Sequence, residues 1–296
     1  MHLPSFAALS LAATGSLKAG RGLGSEFRCG TPPLSPAQLQ AFQQLAAGDA
    51  AAAAASPVGL MGATAARAVV NITLHYHIVS SDKTEAGGNT PASRVEKQMS
   101  VLNSIFPRYG FAFNLGSVTR TVNAKWAQLE LFADAVEMKR ALRRGSYADL
   151  NMYTISLGDG LLGVAAPPLH EPPARDSADF IWDGVIITRE SQPGGALAEY
   201  NLGYAAVHEI GHWLGLLHTF TGGCEETDGG DLVADTPAEA TPASGCPVGR
   251  NTCPKRPGVD PIHNYMDYSV DSCLNEFTPG QAVRMRSSWD KFRAGK

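Results

Sequence analysis

The sequence predicts an α/β fold, on three observations. Residues 68–79 (AVVNITLHYHIV) alternate apolar and polar side chains, residues 93–106 carry an apolar stripe at helical spacing, and strand–helix–strand order then continues to residue 188. The chain has 296 residues, enough for one large domain or two small ones, either able to bury a core. Apolar residues make up 44% and charged residues 18%, which argues against disorder over most of the chain. Lys and Arg number 24 against 28 Asp and Glu, so no basic excess is available to hold a phosphate backbone, and nucleic acid is excluded as a partner. No apolar run of membrane-spanning length follows the N-terminus.

Residues 1–19 read as a secretory signal peptide, because a short apolar stretch from Phe6 gives way to small residues with a cut near Ala19. Residues 20–66 read as an accessory segment. Within it, Ser35-Pro36-Ala37 followed by Gln38 to Ala46 starts a short helix, and the tract Ala50 to Ala55 reads as a low-complexity linker rather than core. The main domain is expected over 67–296. Val70, Ile72, Leu74, Tyr76 and Ile78 form one face of a half-buried strand, and His75 and His77, on the opposite face, pack or face solvent. Val95, Met99, Leu102 and Phe106 form the helix stripe that Pro107 stops. Residues 111–115 and 117–121 read as strands, 135–142 as a second helix, and 150–155 and 184–188 as further strands. Cys224, Cys246, Cys253 and Cys273 crowd together as bridged loops in an oxidising compartment do, in any of three connectivities, while Cys29 stands alone. Asn71-Ile72-Thr73 is an N-glycosylation sequon, which fits export.

The chemistry sits in His208-Glu209-Ile210-Gly211-His212-Trp213-Leu214-Gly215-Leu216-Leu217-His218. On a helix His208 and His212 lie about 40° apart around the axis, so both imidazoles can address one ion. Glu209 lies between them, its carboxylate free to reach a metal-bound water. If the helix continued, His218 would fall roughly 120° away from His212. Gly215 can adopt the left-handed conformation that ends a helix, and the turn then brings His218 back as a third ligand. Three neutral imidazoles with one open position make a catalytic zinc site. Asn264-Tyr265-Met266-Asp267-Tyr268 follows, where Met266 can floor the site as a Met-turn.

These residues resemble those of the pappalysin (cytophagalysin-type) metzincins, and most closely the secreted extracellular metalloproteases of fungi. The resemblance extends through Thr219-Phe220, Gly222-Gly223-Cys224, Asp231, Asp235-Thr236-Pro237, Asp260-Pro261, the Met-turn, Asp271-Ser272-Cys273 and Phe277-Thr278, over about residues 68–292. It implies a metzincin-type α/β (α+β) catalytic domain: a twisted mixed sheet with the active-site helix, above an irregular, disulfide-tied C-terminal subdomain. It implies a secreted, extracellular, monomeric zinc endopeptidase acting on proteins or peptides, with Glu209 as general base, Tyr268 stabilising the oxyanion, and pairings Cys224–Cys253 and Cys246–Cys273. Asp231 and Thr236 match positions that help bind calcium in a family member. Leu161 to Val164 resembles the edge strand on which the family lays substrate, and Asp271 would make the pocket beyond the scissile bond acidic. Related metzincins silence their zymogens with a cysteine, a role open to Cys29, which would make residues 20–66 a pro-segment.

Two other readings remain at this point. A catalytically silent secreted binding protein would keep the zinc fold but is expected to lose Glu209 or a zinc histidine, and all are present. A zinc amidase on a non-protein substrate would need a short, closed cleft.

Overall fold

The computed structural model describes residues 28–55, 68–129, 132–158 and 160–296. A five-stranded sheet has the order β2-β1-β3-β5-β4. Strands β1 (Val70–Ser80), β2 (Phe111–Val122), β3 (Leu150–Ile155) and β5 (Val185–Thr188) pair in parallel, and β4 (Gly163–Ala165) runs antiparallel to β5 at one edge. The expected strands 111–115 and 117–121 are one strand. A register shift opposite Leu74 and His75 leaves Gly116 as the extra residue, which is why the alternation breaks there. His75 and His77 on β1 are tied across that pairing, Nδ1 to Ser117 Oγ and Thr119 Oγ1, each at 2.8 Å.

The two faces of the sheet are covered differently. Helix α2 (Ala92–Ile105) lays Val95, Met99, Leu102 and Ile105 on the face carrying Leu74, Tyr76, Met152 and Ile187. Helix α3 (Phe132–Leu142) covers the opposite face, where Met138 meets Val79, Tyr153 and Ile186. Helix α4 (Tyr204–Trp213) joins α2 on the first face and is buried from Ala205 to Trp213, so this helix carries His208, Glu209 and His212 through the core itself. Its C-terminal end is locked by Asp183, whose Oδ1 accepts from Trp213 Nε1 at 3.1 Å and Arg293 at 2.8 Å while Oδ2 accepts from Arg143 at 3.1 Å. All three charged side chains are almost fully buried, a setting in which removing one partner costs about 3–5 kcal/mol.

Residues 214–278 are mostly irregular and carry the disulfides Cys224–Cys253 and Cys246–Cys273, the pairings that the resemblance implied. This half is not wholly irregular, because α5 (Pro279–Phe292) closes the chain behind a Thr278/Gln281 capping box with Pro279 in its first turn.

The alanine tract is helical. Helix α1 runs unbroken over Pro36–Ala55, since alanine has the highest helix propensity and no polar side chain there competes for the backbone. It is docked, too. Phe42 is fully buried, stacks on Phe292 at 5.7 Å and packs on Leu232, while Asp49 pairs with Arg284 at 2.8 Å. The signal peptide expected over 1–19 lies outside the described residues. Among those described, no helix is long and apolar enough to cross a membrane.

Candidate active site

The string from His208 to His218 folds as its spacing requires. α4 ends at Trp213, Gly215 takes φ +98°, and the following turn returns His218 to the two helical histidines. His208 and His218 Nε2 each lie 3.1 Å from His212 Nε2. His208 Nδ1 donates to the Tyr265 carbonyl at 2.7 Å and His212 Nδ1 to the Leu216 carbonyl at 2.8 Å, so in the neutral rings the Nε2 atoms carry lone pairs. Burial holds His208 down to about 4 and depresses His212 and His218 further, with the neighbouring imidazoles adding to it, so all three stay neutral near pH 7. The lone pairs of His208 and His212 and the Nε2 of His218 converge on one point, where a cation between them would be held by all three. Their spacing suits ligands on a tetrahedral ion with bonds of about 2.0–2.1 Å, so the donor set fits zinc.

The Met-turn lies directly beneath. Met266 is fully buried under α4, and Gly211 is what admits it, because a Cβ there would stand 2.5 Å from Met266 Sδ. The Tyr265 and Met266 carbonyls accept from His208 and from the Thr219 backbone N–H, so one turn positions two separate ligand segments. Thr219 Oγ1 further donates to buried Glu239 at 2.8 Å. Tyr268 is nearly buried, with its hydroxyl 3.2 Å from His218 Nε2, and that burial drives its phenol well above the ordinary range.

Residues 28–31 lie across this site. Arg28 and Gly30 pair with β4, Leu162 N–H donating to the Arg28 carbonyl at 2.7 Å and Gly30 N–H to the Gly163 carbonyl at 2.9 Å. Cys29 is buried, and its Sγ lies within 4.8 Å of the donor atoms of His208, His212 and His218. The thiol also donates to Glu209 Oε2 at 3.6 Å, and burial raises it well above its usual value. Thr31 carries no signal in the sequence as a site residue, yet it makes the shorter contact. Its Oγ1 donates to Glu209 Oε2 at 3.0 Å and accepts from the Ala165 N–H at 2.8 Å. Burial pushes Glu209 up to about 8, with both hydrogen bonds pulling the other way.

The remaining candidate residues, Asp271, Asp231 and Thr236, find definite places. Asp271 is buried with Oδ2 accepting from the Leu202 N–H at 2.8 Å and with a further bond from the Tyr204 N–H, so it caps the start of α4. The Arg28 guanidinium stacks 4.0 Å above the Tyr200 ring beside it. Asp231 and Thr236 meet away from the cleft. Asp231 Oδ1 accepts from the Val233 N–H at 3.0 Å, while Oδ2 and Thr236 Oγ1, both buried, lack a well-formed hydrogen bond among the described residues. Burial pushes Asp231 up to about 7. On the His218 side, a cavity of about 930 Å³ opens between Phe220, Leu217 and Pro167 and the segment from Cys29 to Leu34.

Comparison with known proteins agrees with this geometry. The Peptidase M43 family profile, described as pregnancy-associated plasma protein-A, matches residues 149–290. The chain is 45% identical over 269 residues to an extracellular metalloprotease of Podospora anserina, covering 90% of each. It is 42% identical over 295 residues to an extracellular metalloprotease of Sordaria macrospora, covering 99% of each. Among solved structures, mature mirolysin of Tannerella forsythia in complex with a cleaved peptide aligns with a TM-score of 0.64 and 29% identity, covering 76% of this chain and 93% of that one. Promirolysin of the same organism aligns with a TM-score of 0.66 and 25% identity, covering 89% of this chain and 94% of that one.

Proposed function

This chain belongs to the pappalysin peptidase family, and on that premise we propose that it is a secreted zinc endopeptidase that cleaves proteins with Glu209 as its general base. The observation that carries this reading is the convergence of the Nε2 atoms of His208, His212 and His218, the first two held proton-free by their Nδ1 bonds, on the helix that carries Glu209. His208, His212 and His218 would hold zinc, which would supply Lewis acidity towards the substrate carbonyl and the attacking water. Glu209 takes the proton of the attacking water at its carboxylate and returns it to the leaving amine. Tyr268 presents its hydroxyl at the mouth of the site, where it donates to the developing oxyanion. Once residues 28–30 leave it, the outer edge of β4 offers backbone groups along which an extended peptide adds as a strand. With zinc loaded and the leader removed, casein cleavage stops on adding a chelator and returns with zinc; cleavage indifferent to the chelator would refute the reading.

Residues 1–19 act in this reading as the export signal and 20–66 as a pro-segment, leaving 67–296 as the catalytic domain. Support comes from two disulfides, from relatives named extracellular, and from the larger share of this chain that aligns with promirolysin than with the mature form. Asn71, exposed at the start of β1, is the position for an N-linked glycan. Cys29 holds the zymogen silent by standing where the open zinc position lies.

Asp231 and Thr236 hold calcium, because an underbonded buried carboxylate oxygen and hydroxyl suit a hard cation. Since the free carboxyl titrates at about 7, binding expels a proton, and calcium affinity rises between pH 6 and 8. Calcium at about 100 times its dissociation constant adds about 2.7 kcal/mol of stability. Differential scanning calorimetry then shows a calcium-dependent rise in Tm that Asp231→Asn removes; an equal rise in the variant refutes the site.

A further inference from the structure

The three histidines are not oriented by the same means. His208 and His212 each spend Nδ1–H on a backbone carbonyl. Among the described residues no such acceptor meets His218 Nδ1; its hydrogen-bond-range contacts, to His212 and Tyr268, are at Nε2. An imidazole without a partner on its second nitrogen is free to turn about Cβ–Cγ, which swings Nε2 away from any ion.

Phe220 lies flat on that ring. The two centroids are 4.8 Å apart with an interplanar angle of 11°, and the same phenyl meets Tyr268 edge-on at 5.0 Å and 70°. Tyr268 stands edge-on to His218 at 82°, so the imidazole is boxed between two aromatic side chains. The near-parallel rings at this separation attract by stacking and dispersion. The backbone holds the arrangement in place. Thr221 N–H donates to the His218 carbonyl at 3.0 Å, which folds residue 220 back over 218, and Thr219 between them is tied to Glu239 and to Met266.

We propose that Phe220 is the positioning residue of the third zinc ligand: its flat face does for His218 what backbone carbonyls do for His208 and His212. The inference rests on the reading of the three histidines as zinc ligands. Partners that orient a metal-ligating histidine are typically worth 10–100-fold in metal affinity.

The test measures zinc dissociation constants for the full chain by competition with a chromophoric chelator, together with the absorption spectrum of the cobalt-substituted protein. Phe220→Leu keeps apolar bulk but loses the flat face, and is expected to weaken zinc binding by about tenfold or more and to alter the cobalt bands. Phe220→Tyr keeps the face and is expected to bind within about threefold of wild type. Equal affinity and an unchanged spectrum in the leucine variant overturn the inference. So does an equal loss in both variants, which marks a general packing defect. A wild-type protein that binds no zinc, or a His218→Ala variant that binds it undiminished, overturns the ligand reading itself and is distinguishable from failure of Phe220 alone.

Discussion

Glu209→Gln leaves the zinc site loaded and lowers kcat/KM on casein by about 10²–10⁴-fold, the usual contribution of a positioned acid–base group. The amide matches the carboxylate in shape, so packing beside β4 is kept. What it loses is the capacity to accept a proton from water and return it to the amine. The three imidazoles keep their carbonyl, ring and Met-turn contacts, since none of them is held by Glu209. Initial rates and zinc stoichiometry are measured on leader-free protein, so that latency does not mask the difference. A variant keeping more than about a tenth of wild-type activity with zinc bound would remove Glu209 from the mechanism.

Latency of the unprocessed chain is expected to depend on Thr31 as much as on Cys29. The Thr31 hydroxyl ties Glu209 to the amide of Ala165 through contacts of 3.0 and 2.8 Å, whereas the thiol reaches the same carboxylate oxygen at 3.6 Å. A hydrogen bond to a buried carboxyl that burial keeps largely protonated is worth about 0.5–1.5 kcal/mol, which is roughly 2–10-fold in the population of seated leader. Activity of the unprocessed chain therefore rises roughly 2–10-fold with Thr31→Val. It rises again when Cys29→Ala is added. Casein hydrolysis is followed before any N-terminal truncation appears on a gel. Full activity from Cys29→Ala alone, with Thr31→Val indistinguishable from wild type, would reduce Thr31 to a bystander.

Much of the site is legible in the sequence because helix geometry dictates its spacing. His208 and His212 have to share a face, and Gly215 has to turn the chain before His218; both hold. The strand expected over 150–155 shows its true ends, whereas Gly116 splits β2 in the pattern because a bulge inverts side-chain parity without ending the strand. The alanine tract misleads in another way. Its composition resembles a linker, and only the docking of Phe42 and Asp49 upstream decides that the helix is packed. Helix α5 does carry a capping signature in Thr278-Pro279 and Gln281, which the cysteine-rich surroundings obscure. Thr31 and Phe220 act through neighbours distant in sequence or ring against ring, and no spacing rule encodes either.

The seating of residues 28–31 along β4 has a kinetic corollary. While the leader occupies the amide and carbonyl groups of Leu162, Gly163 and Ala165, that molecule has no edge on which to bind its own cleavage point. If residues 28–31 are the silencing leader proposed above, its release is expected to come from another molecule. Maturation is then bimolecular and self-accelerating: a dilute preparation stays dormant, a concentrated one shows a lag followed by a burst, and a trace of mature enzyme abolishes the lag.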